Sequence, residues 1–191
     1  MRGPNGPTER ELVAQAKSGD RQAFGALVTS YMRRAYYAAL GLVGSHDDAL
    51  DLSQEAFARA FRSSQYLDPD RPFYPWVYQI LRRLCFNFLR DRQRRARRLG
   101  EREAWLVEEA GARNMGNDPA RGAELSDLRE RLERAIEALP EKEREVLVLK
   151  EFEGLRYREI ADLLAIPIGT VMSRLYAARR SLMSSLGSAL D

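Results

Sequence analysis

Within Leu155–Leu182 (LRYREIADLLAIPIGTVMSRLYAARRSL), the residues Met172, Ser173, Arg174, Tyr176, Arg179 and Arg180 fall on one side of a helix. Short polar groups near a helix start, followed by cations along its length, are what a helix in a DNA major groove needs. The first reach base edges and the second reach phosphates. No Asp or Glu occurs between Asp162 and Asp191, so nothing on that helix opposes its positive charge. The opposite side repeats Val171, Leu175, Ala178 and Leu182 at steps of four, three and four. That spacing is one apolar helix face. Ile160, Leu163 and Leu164 predict a preceding helix, which Ala165-Ile166-Pro167 ends because a proline disfavours the α region in the residue before it. A helical hairpin with a basic outer face can also be a plain solvated surface, so the rest of the chain must decide.

Three other groups of residues could carry chemistry. Asp47, Asp48, Asp51 and Glu55 make the start of the helix predicted from Ser45 to about Ser64 acidic. Carboxylates in a first turn favour the helix dipole, but Asp51, Gln54 and Glu55 lie beyond that turn and suit docking to a basic protein. Arg82–Arg102 holds nine arginines against Asp91 and Glu101. Such a block marks either nucleic-acid contact or a solvated helix end. Between these groups, Phe73-Tyr74-Pro75-Trp76 follows the loop Gln65–Pro72. Aromatics there can stack on unpaired bases, each stack contributing about 1–3 kcal/mol. They can equally pack the loop onto the core, and both roles can hold together.

Composition narrows the classes. The chain has 191 residues, a 45% hydrophobic share and a net charge of +3, enough for one or two compact domains. It has no apolar run of the roughly 18 residues that a membrane span needs, and MRGPNGPTER has no apolar signal core. We therefore expect a cytoplasmic protein with no direct membrane insertion. One cysteine, Cys85, and one histidine, His46, exclude an internal disulfide and argue against a Cys/His metal site. Cys85 sits among apolar neighbours in LRRLCFNFL and is expected to be buried. With no nucleotide-binding GxxxxGK[ST] motif and no convergent carboxylates, no cofactor, catalytic residue, metal or small-molecule substrate is expected.

The elements that must position these groups are all helical. Thr8-x-x-Glu11 is a capping box opening a helix with Leu12, Val13 and Ala16 inward. Asp20 caps the next, whose stripe runs through Phe24, Leu27, Val28, Tyr31, Ala35, Ala38 and Leu42. Ser45-x-x-Asp48 reads as a second capping box, with Leu50, Phe57 and Phe61 expected inward. Val77, Ile80, Leu81, Leu84 and Phe88 mark the helix after the aromatic segment. Periodicity fades from about Ala96 to Gly122, where four glycines and Pro119 indicate a linker. Leu125, Leu128, Leu132, Ile136 and Leu139 then form a stripe that Pro140 ends, and Val146, Leu147 and Leu149 mark a helix over Glu141–Phe152. The expected fold class is all-α: two small helical domains, 1–98 and 124–191, joined by a flexible linker over 99–123, the second carrying a helix-turn-helix.

Three stretches taken in order carry a likeness. Asp48–Phe61 (DALDLSQEAFARAF), Phe73–Leu89 (FYPWVYQILRRLCFNFL) and Leu139–Leu182 resemble the extracytoplasmic-function (ECF) sigma factors of bacterial RNA polymerase. The resemblance implies binding to core RNA polymerase, through its β′ clamp helices and β subunit, and promoter-specific initiation. It implies a polymerase-binding surface at Asp48, Asp51, Gln54 and Glu55. It implies −10 contacts at Ser64, Gln65, Tyr66, Phe73, Trp76, Arg83, Asn87 and Arg90, with the Ser64–Trp76 segment capturing a flipped base. At the −35 element it implies Thr170, Met172, Ser173, Arg174, Tyr176, Arg179 and Arg180. It further implies a stress or envelope-response regulon and control by an anti-sigma factor, often membrane-bound. The chain departs from the pattern at Arg82-Arg83, where many relatives have an asparagine, and at Met172, where some have an arginine. The alternative is a stand-alone helix-turn-helix regulator binding a duplex palindrome as a dimer. It leaves the acidic helix and the aromatic loop without a role.

Overall fold

A computed structural model describes residues 6–103, 131–132 and 134–187 of the chain. Among these residues every regular element is a helix. The N-terminal half contains α1 (Glu9–Lys17), α2 (Arg21–Val43), α3 (His46–Arg62), a 3₁₀ turn at Ser64–Tyr66, and α4 (Phe73–Glu103). The C-terminal half contains a helical segment at residues 134–137, then α5 (Glu141–Glu151), α6 (Tyr157–Leu164) and α7 (Ile168–Gly187).

Local chemistry sets most of the boundaries. Thr8 and Glu11 form the full capping box of α1, which satisfies two of the amides a helix start leaves open. The Asp20 carboxylate accepts from the Gln22 and Ala23 amides. Ser45 Oγ accepts from the Asp48 amide at 3.4 Å, so half of the second capping box forms. The start of α4 is finished from a distance: Glu9 Oε1 in α1 accepts from the Phe73 amide at 2.9 Å, and the same carboxylate group accepts from the Tyr31 hydroxyl. At the end of α6, Ala165 turns left-handed at φ 53°. The Ile166 amide then donates to Ala161 O at 3.0 Å and the Ala165 amide to Asp162 O at 3.3 Å. Those are the two bonds of a Schellman stop, so α6 ends before the constraint from Pro167 is reached.

The expected core residues are largely where periodicity puts them. Leu12, Val13, Ala16, Phe24, Leu27, Ala35, Ala38 and Leu42 are buried, as are Val77, Leu81, Leu84, Val146, Leu147, Leu149, Ile160, Val171, Leu175 and Ala178. Cys85 is buried and free, and burial pushes its thiol up to about 12, where it is a poor nucleophile. The orientation of α3 differs from the expectation. Phe57 is inside, but Leu50 is 45% exposed and Phe61 37% exposed. The buried side is instead Ala49, Ser53, Ala56, Phe57 and Ala60. Small side chains at steps of four, three and four let α3 lie close against α2 and α4, and that close approach decides the rotation. The other difference is the length of α4, which continues to Glu103, past the domain boundary expected at residue 98. Arginine, alanine and leucine are strong helix formers, so the arginine-rich tail extends the rod. The linker residues expected beyond it, and Leu125 and Leu128, lie outside the described residues.

The two halves touch. Helix α5 packs against α2 and is joined to α4 through side chains, and Gly41 sits where an added Cβ would come within 2.8 Å of both methyl groups of Val148. Only a glycine allows α2 and α5 to approach that closely.

Candidate promoter and polymerase interfaces

Helices α6 and α7 meet at 107° across the short turn at Ala165–Pro167, the geometry of a helix-turn-helix. Val171, Leu175 and Ala178 bury one side of α7 against the other C-terminal helices. This turns the opposite side outward: Met172 is 48% exposed and Tyr176 69%. Ser173, Arg179 and Arg180 are also exposed, while Thr170 and Arg174 are half-buried. Ser173 Oγ donates to Thr170 O at 3.1 Å, which leaves its oxygen available as an acceptor. Arg179 is paired with Glu151 of α5 at 2.6 Å, and that bond raises its pKa. For Arg179 to reach a phosphate, it must exchange one anion for another.

The −10 candidates are divided between surface and core. Phe73 is 1% exposed and meets Phe24 edge-on, with centroids 5.9 Å apart, so it is a core residue at the head of α4. Trp76 is half-buried beside it, 6.2 Å away, and Tyr66 is 74% exposed. Tyr66, Leu67, Asp68, Arg71, Pro72, Phe73 and Trp76 line a single cavity of about 260 Å³. Its apolar floor and aromatic rim could receive a planar, unstacked ring. Ser64 and Gln65 lie on the adjoining 3₁₀ turn, Ser64 half-buried and Gln65 exposed. Farther along α4, Arg83, Asn87 and Arg90 are exposed. Arg90 donates to Asn87 Oδ1, which orients the amide.

On α3, Asp51 and Gln54 are exposed, and Asp48 and Glu55 are half-buried. Glu55 is already partnered: its carboxylate accepts from Arg59 at 2.7 Å and Arg62 at 3.2 Å, and the Arg59 bond leads the lowering of its pKa. The free acidic character of this face therefore rests chiefly on Asp47, Asp48 and Asp51. Leu50, for which the sequence predicts an inward position, stands among them. The surface combines charge with an exposed apolar side chain, as protein interfaces do. The stripe of small residues on α3 was the sequence signal that could have revealed this.

A further set of residues had no assigned role in sequence. Arg82 of α4 binds Glu145 of α5 through Nε and through Nη2 at 3.0 Å, and the Tyr78 hydroxyl donates to the same carboxylate at 3.2 Å. Arg34 and Tyr74 both donate to Glu153 at 2.8 Å. The Glu145 side chain is fully buried and that of Glu153 is 1% exposed. Burial raises the Glu153 pKa against the opposing pull of Arg34. Burial likewise pushes the Tyr74 and Tyr78 hydroxyls upward. Among the described residues no group of three or more His, Cys, Asp or Glu side chains could hold a metal ion, and no single helix is long and apolar enough to cross a membrane.

Comparison with known proteins agrees with this layout. Residues 27–95 match the Sigma-70 region 2 family and residues 129–182 the Sigma-70 region 4 family. The chain is 34% identical over 177 residues to the ECF RNA polymerase sigma-E factor of Escherichia coli K12, covering 92% of each. It is 32% identical over 180 residues to the RNA polymerase sigma-H factor of Pseudomonas aeruginosa, covering 93% of each. Among solved structures, CnrH, determined in complex with the cytosolic domain of CnrY, superposes with a TM-score of 0.66 at 27% identity, over 94% of this chain and 97% of that one. The sigma factor RpoE of Bartonella quintana, determined with the anti-sigma factor NepR, shares the fold with a TM-score of 0.58 at 24% identity, over 86% and 96%. With both regions matched and relatives above 30% identity along nearly the whole length, the chain belongs to the ECF sigma factors, which direct promoter-specific initiation of transcription.

Proposed function

We propose a division of labour among the surfaces. The exposed side of α3, with Asp48, Asp51, Gln54 and Leu50, docks on core RNA polymerase, and Glu55 joins it by exchanging its arginine partners. The cavity between Tyr66 and Trp76 captures an unstacked base of the −10 element, with Phe73 as its buried floor. Arg83, Asn87 and Arg90 follow the strand beyond it, and Ser64 and Gln65 border its entry. At the other end, Met172, Ser173 and Tyr176 read base edges of the −35 element, Thr170 lies at the groove edge, and Arg174, Arg179 and Arg180 meet phosphates. The observation that carries this reading is the aromatic cavity at the head of an arginine-rich helix. A stand-alone duplex reader has no use for it, whereas a protein that holds melted DNA does.

The chain works by binding rather than by catalysing a reaction, and it acts in the cytoplasm alongside the polymerase. CnrH was solved with the cytosolic domain of CnrY and RpoE of Bartonella quintana with the anti-sigma factor NepR, and the shared fold supports a protein partner of the latter kind for this chain. A stress or envelope-response regulon fits such control.

The test is run-off transcription with purified core polymerase on a genomic promoter library, followed by sequencing of the start sites. The expected result is one promoter class with a shared −10 and −35 spacing. Folded protein that yields no specific starts would sink the reading. In the same assay Asp51→Arg should weaken core polymerase binding at least about tenfold, since it places like charge in a charge-complementary interface, with an unchanged thermal melt. Wild-type affinity for that variant would remove α3 from the docking surface.

A further inference from the structure

Helix α1 carries two acidic residues in its first turn, Glu9 and Glu11, and uses them differently. Glu11 completes the capping box with Thr8, so the start of α1 does not depend on Glu9. The Glu9 side chain instead leaves its own helix. Its Oε1 accepts from the Phe73 amide at 2.9 Å and its Oε2 from the Tyr31 hydroxyl. The first contact satisfies one of the amides that the start of α4 leaves open, and it places a carboxylate at the positive end of the α4 dipole. The second reaches Phe73 by another route. The Tyr31 ring packs against the Phe73 ring with 5.8 Å between centres and stacks on Tyr74 at 5.5 Å. One half-buried carboxylate therefore fixes both the backbone and the ring of Phe73.

Phe73 lies in the cavity whose rim includes Tyr66, Asp68, Arg71 and Trp76. Residues 67–72 of that rim join the 3₁₀ turn to α4 and hold no regular element of their own. The near end is anchored locally: Leu67 is buried, and its amide donates to Ser64 O at 3.0 Å. Within the loop, the Asp68 carboxylate accepts from the Asp70 amide at 3.0 Å and pairs with Arg71 at 3.3 Å. Two further ties come from α1, where Arg10 pairs with Asp70 at 2.8 Å and Glu9 holds the far end at Phe73. Exposure separates these two. The side chains of Arg10 and Asp70 are 74% and 73% exposed, and such pairs hold weakly. Glu9 is half-buried with both carboxylate oxygens engaged, so Glu9 carries the hold. Helix α1 also lies ahead of residues 27–95, which match the region 2 family.

We propose that Glu9 is a positioning residue for base capture: from α1 it fixes Phe73, and through Phe73 it sets the aromatic cavity between Tyr66 and Trp76 in the shape that receives an unstacked base. A cavity held in that shape for only part of the time binds in proportion to that fraction. Loss of the hold therefore weakens −10 capture and leaves the reading surface of α7 untouched. The consequence for capture rests on the −10 assignment proposed above; the hold on the cavity does not.

The test uses the full chain carrying Trp105→Phe, which leaves Trp76 as its one tryptophan. Acrylamide quenching of Trp76 fluorescence then reads the cavity without DNA or polymerase. Glu9→Ala should raise the quenching constant, and Glu9→Gln, which keeps an uncharged acceptor, should raise it less. Both are measured below their melting temperatures, and Glu9→Gln serves if Glu9→Ala loosens α1. With core polymerase bound, Glu9→Ala should weaken binding to a fork-junction DNA with an unpaired −10 strand about tenfold, as for a cavity formed about a tenth of the time. Binding of the free chain to a −35 duplex should stay at wild type; a merely structural role lowers both bindings alike and would overturn the proposal. Arg10→Ala should change either reading less than about twofold, and an effect larger than that of Glu9→Ala would move the hold from Glu9 to Arg10. Unchanged quenching in both Glu9 variants would overturn the positioning. Raised quenching with wild-type fork binding would overturn its role in capture, provided that Trp76→Ala weakens fork binding. If Trp76→Ala binds the fork like wild type, the −10 assignment fails instead, and the two failures are told apart.

Discussion

Helices α4 and α7 both carry arginines on the surfaces proposed to meet DNA, but they distribute their duties differently. In α7 folding and the proposed recognition use opposite sides. Val171, Leu175 and Ala178 are buried, while Met172 and Tyr176 project from the surface. In α4 the duties overlap. Phe73 is buried at its head, Tyr78 and Arg82 face the other half of the chain, and Arg83, Asn87 and Arg90 lie outward. A helix with one buried face can change its specificity without losing its fold. A helix buried from several sides has little such freedom, because most of its substitutions disturb packing as well as recognition.

That contrast can be broken by substitution. Phe73→Ala has the largest expected effect, a loss of about 3–5 kcal/mol as a buried aromatic is removed, read as a lower urea midpoint. Tyr176→Ala should leave the midpoint within about 0.5 kcal/mol while weakening −35 duplex binding by about 1–3 kcal/mol. Equal stability losses for the two would erase the distinction between the helices. Glu9→Gln comes next. Glu9 serves both the Phe73 amide and the Tyr31 hydroxyl, and that hydroxyl is pushed up to about 12 by burial first and then by Glu9. Weakening this carboxylate acceptor should cost about 1–3 kcal/mol and bring the Tyr31 titration, followed by ultraviolet absorbance, to lower pH. An unmoved titration would show that Glu9 does not hold the head of α4. The smallest effect is Arg174→Ala, which should weaken −35 binding on all sequences alike and reduce the salt slope by about 1. A change confined to certain base sequences would make Arg174 a reader of bases.

Much of this was legible in the sequence because it is local. Thr8, Asp20 and Ser45 cap helices through amides two or three residues away. The periodicity of Val171, Leu175 and Ala178 named the buried side of α7 and, by exclusion, its exposed one. The acidic run on α3 was visible, but its rotation was not. Leu50 and Phe61 are the large apolar residues there and draw the eye, whereas the helix turns Ala49, Ser53, Ala56 and Ala60 inward. Close packing favours whichever side fits its neighbours, and size alone does not decide it.

The sequence by itself determined the helices, most of their caps, the helix-turn-helix and the family. Each follows from interactions within a few residues or from motifs in fixed order. Only the tertiary structure decided what lies between the two halves. Arg82 and Glu145 are 63 residues apart and Arg34 and Glu153 are 119 apart. No local pattern encodes such pairs, because a buried charge is tolerated only when a partner arrives from elsewhere in the chain. The same reason explains Gly41. It reads as a weak point in a helix until Val148 is found against it.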